Sequence, residues 1–256
     1  MKEFFGFGGY AREAEGFFSW QHLLFCSCLM AVMVALAVFF GLRNREKAEK
    51  EKNRVLIAAA LMIDGFELFK IVLICCRNGI SSLSRLLPLF LCSIPLFALP
   101  LAAFARGRLR EMSLDFLVIF GLLVAFLGTY GAGNNYAVYP VLGFDNVVSG
   151  ITHAISGFSS LYLLLARMVS MKKETMPLTF AGMAGFCAAA YLADVLIPYN
   201  YMFLIRDDGT PYGIFYRLVN GHPVFYPLIV VGLFLVCIAA AYGIAALARK
   251  RREPAA

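Results

Sequence analysis

Seven runs of this chain are long enough and apolar enough, or nearly so, to dictate its solvent. They cover residues 17–42, 55–76, 86–105, 112–130, 147–170, 177–197 and 223–248, each close to the roughly 20 residues that carry a helix across about 30 Å of hydrocarbon. Lipid offers no partner to an unpaired amide, so a run of this kind satisfies its backbone as a helix. The expected fold is therefore all-α, a polytopic bundle of seven transmembrane helices in one domain over 17–248. Composition agrees: 61% hydrophobic and 15% charged residues would leave a water-soluble domain without a polar surface.

The second run is the weakest, because Asp64, Glu67 and Lys70 interrupt it. Without it, the basic loop 43–54 and the basic tail would fall on opposite sides of the membrane. With it, Lys and Arg gather after the first, third, fifth and seventh runs. The positive-inside rule then puts the amino terminus outside and the 249–256 tail in the cytoplasm, in a cell-membrane protein. Residues 1–16 mix Phe4, Phe5, Phe7 and Tyr10 with charges and read as an interfacial segment. The net charge of +7 is accounted for by these loops, so lipids rather than nucleic acid are the expected partners. The seven cysteines show no CxxC pair and no His/Cys ligand spacing, so neither a disulfide framework, a metal site nor a cofactor is expected, and oligomeric state stays open.

The residues able to do chemistry share a depth. At 1.5 Å per residue, His22 falls about 7 Å below the outer end of its run, Cys92 and His153 about 10 Å, and Lys70 and Glu67 about 9 and 13 Å. Asp194 sits near the outer end of the sixth run, and the loop 198–222 carries Asn200 and Tyr201 above it. Ionisable groups at such depths face a partner or a wet cavity, because charge in hydrocarbon costs several kcal/mol. Each has a plainer reading too. Glu67 and Lys70 are three apart and can neutralise each other, His153 lies between Gly150 and Gly157 on a face that admits a neighbouring helix, and a buried cysteine usually behaves as a small hydrophobe.

The stretch Arg85–Pro95 joins a cationic entry, Pro88 and Pro95, and a Cys92–Ser93 step. Prolines free backbone carbonyls, so this segment reads as the wall of a polar pocket open to the outside. With His153 beside it, Cys92 would form a thiol–imidazole pair suited to acyl transfer. The pocket is expected to be lined further by His22, Glu67, Lys70, Asp194, Asn200 and Tyr201. No GxSxG, HExxH or nucleotide-binding loop is present, which argues against serine-hydrolase, zinc-protease and ATP-driven chemistry.

FFSWQHL (Phe17 to Leu23), LPLFLCSI (Leu87 to Ile94), the His153 helix and NYMFL (Asn200 to Leu204) together resemble the YwaF-like bacterial multispan membrane proteins over nearly the whole chain. That family is distantly similar to a eukaryotic acyltransferase that remodels ether phospholipids with a cysteine and a histidine. The resemblance implies an acyl-lipid substrate, with His153 as the histidine and Cys92 as the cysteine, or position Leu89 under the other alignment of Pro88. The bacterial pattern usually reads LPLHLC, and this chain has Phe90 at its histidine. Three functional expectations stand: a cysteine/histidine-dependent lipid acyltransferase, a non-catalytic membrane protein that binds or transports a small solute, or a purely structural or assembly protein.

Overall fold

Ser19 starts the first helix by accepting the His22 amide on its hydroxyl at 3.2 Å, which satisfies one of the free N–H groups of a helix start. The resulting α1 runs over Trp20–Asn44. The computed structural model describes residues 2–169 and 171–251, and among them every regular element is helical. These residues form two compact units, one of 2–86 with 95–169 and the other of 87–94 with 171–251.

In the first unit α1 is followed by α2, Glu49–Asn78. Glu49 and Glu51 lie in its first turn, where carboxylates suit the positive helix end, and Gly79 ends it at φ 87°. A 3-10 turn, Ile80–Arg85, comes next. The expected continuous helix over 86–105 is absent. Residues 86–90 are irregular, a short 3-10 turn covers Leu91–Ser93, and the helix α3 occupies only Ile94–Phe104, about 16 Å long. Pro88 explains the break, since it donates no hydrogen bond and pushes the residue before it out of helical geometry. Pro95 is tolerated because it stands in the first turn of α3. Then come α4, Gly107–Thr129, a short α5, Gly133–Val138, and α6, Phe144–Leu165.

α6 is the hub, with α1, α2 and α4 all packed on it. Small residues bring the backbones together. A side chain at Gly157 would meet Met33 of α1 and Ala125 of α4, one at Gly150 would meet Leu29, and one at Gly121 would lie 2.6 Å from the Ser156 carbonyl. Ser160 adds a hydrogen bond to the Val118 carbonyl at 3.1 Å. The face of α6 that Gly150 and Gly157 leave open around His153 is thus taken by neighbouring helices, as their spacing suggests.

The charged α2 lies along the whole of α6. At one end Tyr162 donates to the Lys52 carbonyl at 2.9 Å, and at the other Arg77 pairs with Asp145. The basic loops share one end of this unit. Asn53 donates to the Ala103 carbonyl at 2.7 Å, Arg110 reaches Asn53 at 3.4 Å and Glu49 at 3.7 Å, and Arg167 reaches Glu46 at 3.5 Å. These contacts also satisfy carbonyls at the end of α3, which would otherwise be left bare.

The second unit is built on α7, Met176–Leu196, and α9, Phe225–Lys250, which run antiparallel. Tyr242 of α9 hydrogen-bonds the Thr175 and Thr179 hydroxyls at 3.1 and 2.9 Å. At the opposite end Tyr191 donates to the Pro223 carbonyl at 3.3 Å. Between them lie a 3-10 turn, Tyr201–Phe203, and α8, Gly213–Leu218. Among the described residues five helical segments are long and apolar enough to cross a membrane: α1, Gly107–Val138, α6, α7 and α9. Arg249 and Lys250 close α9. The rest of the expected tail beyond Arg251, position 170 at the end of the fifth run and Met1 of the amino-terminal segment lie outside the described residues.

Candidate functional site

The helix α6 repeats small hydroxyl residues at Ser149, Thr152, Ser156, Ser159 and Ser160. Most return their protons to carbonyls a turn back, as Thr152 does to Ser149 at 2.9 Å and Ser156 to Thr152 at 3.0 Å, which makes a polar stripe admissible in lipid. His153 stands in that stripe with 9% of its surface exposed. Its Nδ1 lies 3.3 Å from the Ser149 hydroxyl one turn away. Its other edge rests on α4 at Gly128, where any side chain would collide with Cδ2 and Nε2. Glycine is required there by close approach, and the sequence carried no local sign of it.

α2 carries the ion pair. Lys70 donates to Glu67 at 2.6 Å, with the side chains 21% and 14% exposed, and the helix that carries them packs on α6. Asp64 lies within the field of Glu67. Three of the expected site residues, Glu67, Lys70 and His153, are therefore carried by two helices that pack on each other. An imidazole and an ammonium–carboxylate pair are groups able to move a proton or to hold a polar headgroup.

His22 has a different task. It is fully buried, its Nδ1 accepts the Phe18 amide at 3.1 Å, and its Nε2 lies 3.2 Å from the Thr129 carbonyl. An accepting Nδ1 fixes the neutral tautomer with the proton on Nε2, so Nε2 is the donor to Thr129. Its ring also lies 3.9 Å from the centroid of Tyr136. Both nitrogens are committed to joining α1, α4 and the turn at Phe18. The two histidines thus hold successive residues of α4, His153 against Gly128 and His22 at Thr129.

A second polar centre in this unit was not singled out by sequence reasoning. Arg77 at the end of α2 donates to both oxygens of Asp145 in the first turn of α6, at 2.8 and 2.9 Å. The same guanidinium donates to the Phe5 carbonyl at 3.1 Å, and Tyr10 donates to the Asp145 carboxylate. The Phe144 amide donates to the Phe4 carbonyl at 3.0 Å, and Glu15 accepts the Val141 amide at 2.8 Å. The segment expected to lie along the interface is tied to the helix ends. Burial, reinforced by the bond to Asp145, pushes the Tyr10 hydroxyl up to about 12.

In the second unit Asp194 is 5% exposed, and one oxygen accepts the Tyr201 amide while the other has no hydrogen-bond partner. Asn200 organises the loop above it. Its carbonyl accepts the Ile205 and Arg206 amides at 3.1 and 3.3 Å, and its amide donates to the Arg206 carbonyl and Asp208 carboxylate, both at 2.8 Å. Such a loop tolerates the left-handed Met202 and Phe203, with φ 53° and 58°. Tyr201 is fully buried. Phe90 packs its ring on Tyr199, Tyr201 and Phe203, with centroids 6.1, 5.5 and 5.9 Å away. The position where the bacterial pattern carries histidine therefore anchors the irregular segment to this loop. Cys92, two residues on, is half-buried and belongs to this second unit, whereas His153 belongs to the first. Among the described residues no group of three His, Cys, Asp or Glu side chains is arranged to hold a metal ion.

No curated protein and no solved structure matches the chain. The model of one family matches residues 17–251, nearly the whole of a chain whose long apolar helices and membrane-buried polar residues have just been described. The chain is a multispan membrane protein and belongs to the TMEM164 family.

Proposed function

We propose that this protein is a seven-crossing cell-membrane protein, amino terminus outside, that transfers acyl chains between lipids through Cys92 and His153. His153 takes the Cys92 thiol proton, and the thiolate attacks the ester carbonyl of a donor lipid. The ester C–O bond breaks, and the departing alcohol carries that proton away from His153. A hydroxyl of the acceptor lipid then attacks the thioester, its proton passing by way of His153 to the released sulfur. Glu67 and Lys70 orient the lipid headgroup, and no cofactor takes part.

The observation that carries this reading is the packing of α2, which holds the Lys70–Glu67 pair, on α6, which holds His153. Two half-buried charges on one helix and a buried imidazole on the helix packed against it are costly in helices that only have to pack. The shared end of the basic loops supports the orientation, and the end-to-end alignment of α2 with α6 supports counting α2 as a crossing. The test is a comparison of membrane lipids in cells carrying wild type, Cys92→Ala or His153→Ala at equal protein level. Altered acyl profiles in both variants support transfer, and identical profiles exclude it.

A second reading, a non-catalytic protein that binds or moves a small polar solute, is favoured by one specific arrangement. The His153 ring is bonded to Ser149 and lodged on Gly128, which suits a packed residue as well as a base. Uptake abolished by Lys70→Met and untouched by Cys92→Ala selects this reading.

A further inference from the structure

Between the end of α1 and the start of α2, Phe40, Arg43, Asn44, Lys47, Glu51, Arg54 and Val55 line an open cavity of about 360 Å³. We propose that it is a binding site for a phosphate-bearing anion, filled by the headgroup of an anionic phospholipid.

The reasoning starts from the charges of the 43–54 loop. Its carboxylates are all engaged by other cations: Glu46 faces Arg45 and Arg167 at 3.8 and 3.5 Å, Glu49 faces Lys52 and Arg110 at 3.4 and 3.7 Å, and Glu51 faces Lys47 at 3.8 Å. Arg43 and Arg54 line the cavity and have no carboxylate partner among the described residues. The planar fork of a guanidinium matches phosphate oxygens, and two forks can hold one phosphate from two sides. Arg43 rests over an aromatic neighbour, with its guanidinium carbon 5.8 Å from the Phe39 ring centroid.

The wall behind them is held in place. Asn44 is buried and donates to the Tyr162 hydroxyl at 3.3 Å, and that hydroxyl donates to the Lys52 carbonyl at 2.9 Å. The cavity is therefore shaped by the packing of three helices rather than by a mobile loop. Phe40 and Val55 add apolar surface to the same lining, and α1 is one of the helices able to cross a membrane. Cations beside apolar side chains at a membrane helix end fit a lipid, whose phosphate lies at the surface and whose chains lie below. This site is separate from the lipid-handling reading of His153 and stands if that reading fails.

The full-length protein, purified in detergent and placed in phosphatidylcholine bilayers with or without phosphatidylglycerol, tests it by native mass spectrometry of retained lipid. Wild type is expected to retain phosphatidylglycerol in preference to phosphatidylcholine. Arg43→Gln/Arg54→Gln loses that preference by on the order of tenfold or more, while Arg106→Gln/Arg108→Gln, with the same charge loss outside the cavity, keeps it. A melting curve in detergent confirms that both variants are folded. Adding inorganic phosphate separates the sources: stabilisation of wild type but not of Arg43→Gln/Arg54→Gln by phosphate alone assigns the site to a soluble phosphate. Absence of any anion preference, or equal loss in both double variants, overturns the proposal.

Discussion

Arg77 and Asp145, 68 residues apart, meet as a bidentate pair in which each side chain is only 8% exposed. One stands at the end of α2 and the other at the start of α6, so the pair closes one end of the first unit and gives the amino-terminal segment something to bind. Removing one partner leaves a buried charge uncompensated, which costs about 3–5 kcal/mol. Arg77→Met and Asp145→Leu are each expected to lower the melting temperature in detergent sharply. The double variant, with no stranded charge, is expected to lose less than the sum. Additive losses would mean that the two side chains do not act as a pair.

Tyr10 makes the same end sensitive to alkali. Its hydroxyl titrates near 12 rather than the ordinary 10, because burial and the bond to Asp145 favour the protonated form. The folded-state value is raised, so this contribution is complete below pH 10 and is lost as pH rises through about 12. Release of the amino-terminal segment, read by proteolysis at Arg12, is expected in that alkaline window in wild type. In Tyr10→Phe the segment is expected to be more easily cut at neutral pH and to lack the alkaline step.

Gly128→Ala drives a methyl group into the His153 ring. Overpacking of this kind costs about 1–3 kcal/mol. Combining it with His153→Ala gives the methyl group room, so the double variant is expected to be more stable than the two single losses imply. Thermal unfolding of the four proteins measures this coupling.

Asn200 holds its loop through two accepted and two donated hydrogen bonds. Asn200→Ala is expected to destabilise by about 2–3 kcal/mol, since several backbone groups lose a partner at once. Earlier proteolytic cutting at Arg206 in the variant would report the loop opening, and an unchanged cutting pattern would show that Tyr201 and Phe90 suffice to hold it.

Much of the fold was legible because hydropathy and charge are local sums. The run 17–42 anticipates α1 at Trp20–Asn44, and 223–248 anticipates α9 at Phe225–Lys250. Charges in the run 55–76 obscured α2, yet Glu67 and Lys70 pair as their three-residue spacing requires. The third run misled for the opposite reason. Its hydropathy is ample, but Pro88 acts on backbone geometry, and the chain stays irregular over 86–90.

By itself, the order of residues determined a helical membrane protein, the extent of most of its long helices, and the clustering of basic loops. Those properties depend on each segment's own transfer free energy and need no knowledge of its neighbours. Only the tertiary structure decided that Arg77 belongs to Asp145, that His153 lies on Gly128, that His22 is committed to Thr129 and Phe18, and that Arg43 and Arg54 line one cavity with no carboxylate partner of their own among the described residues. Each of those depends on which face a helix turns to another and at what height, and a pairing across many residues leaves no mark in the local pattern of either partner.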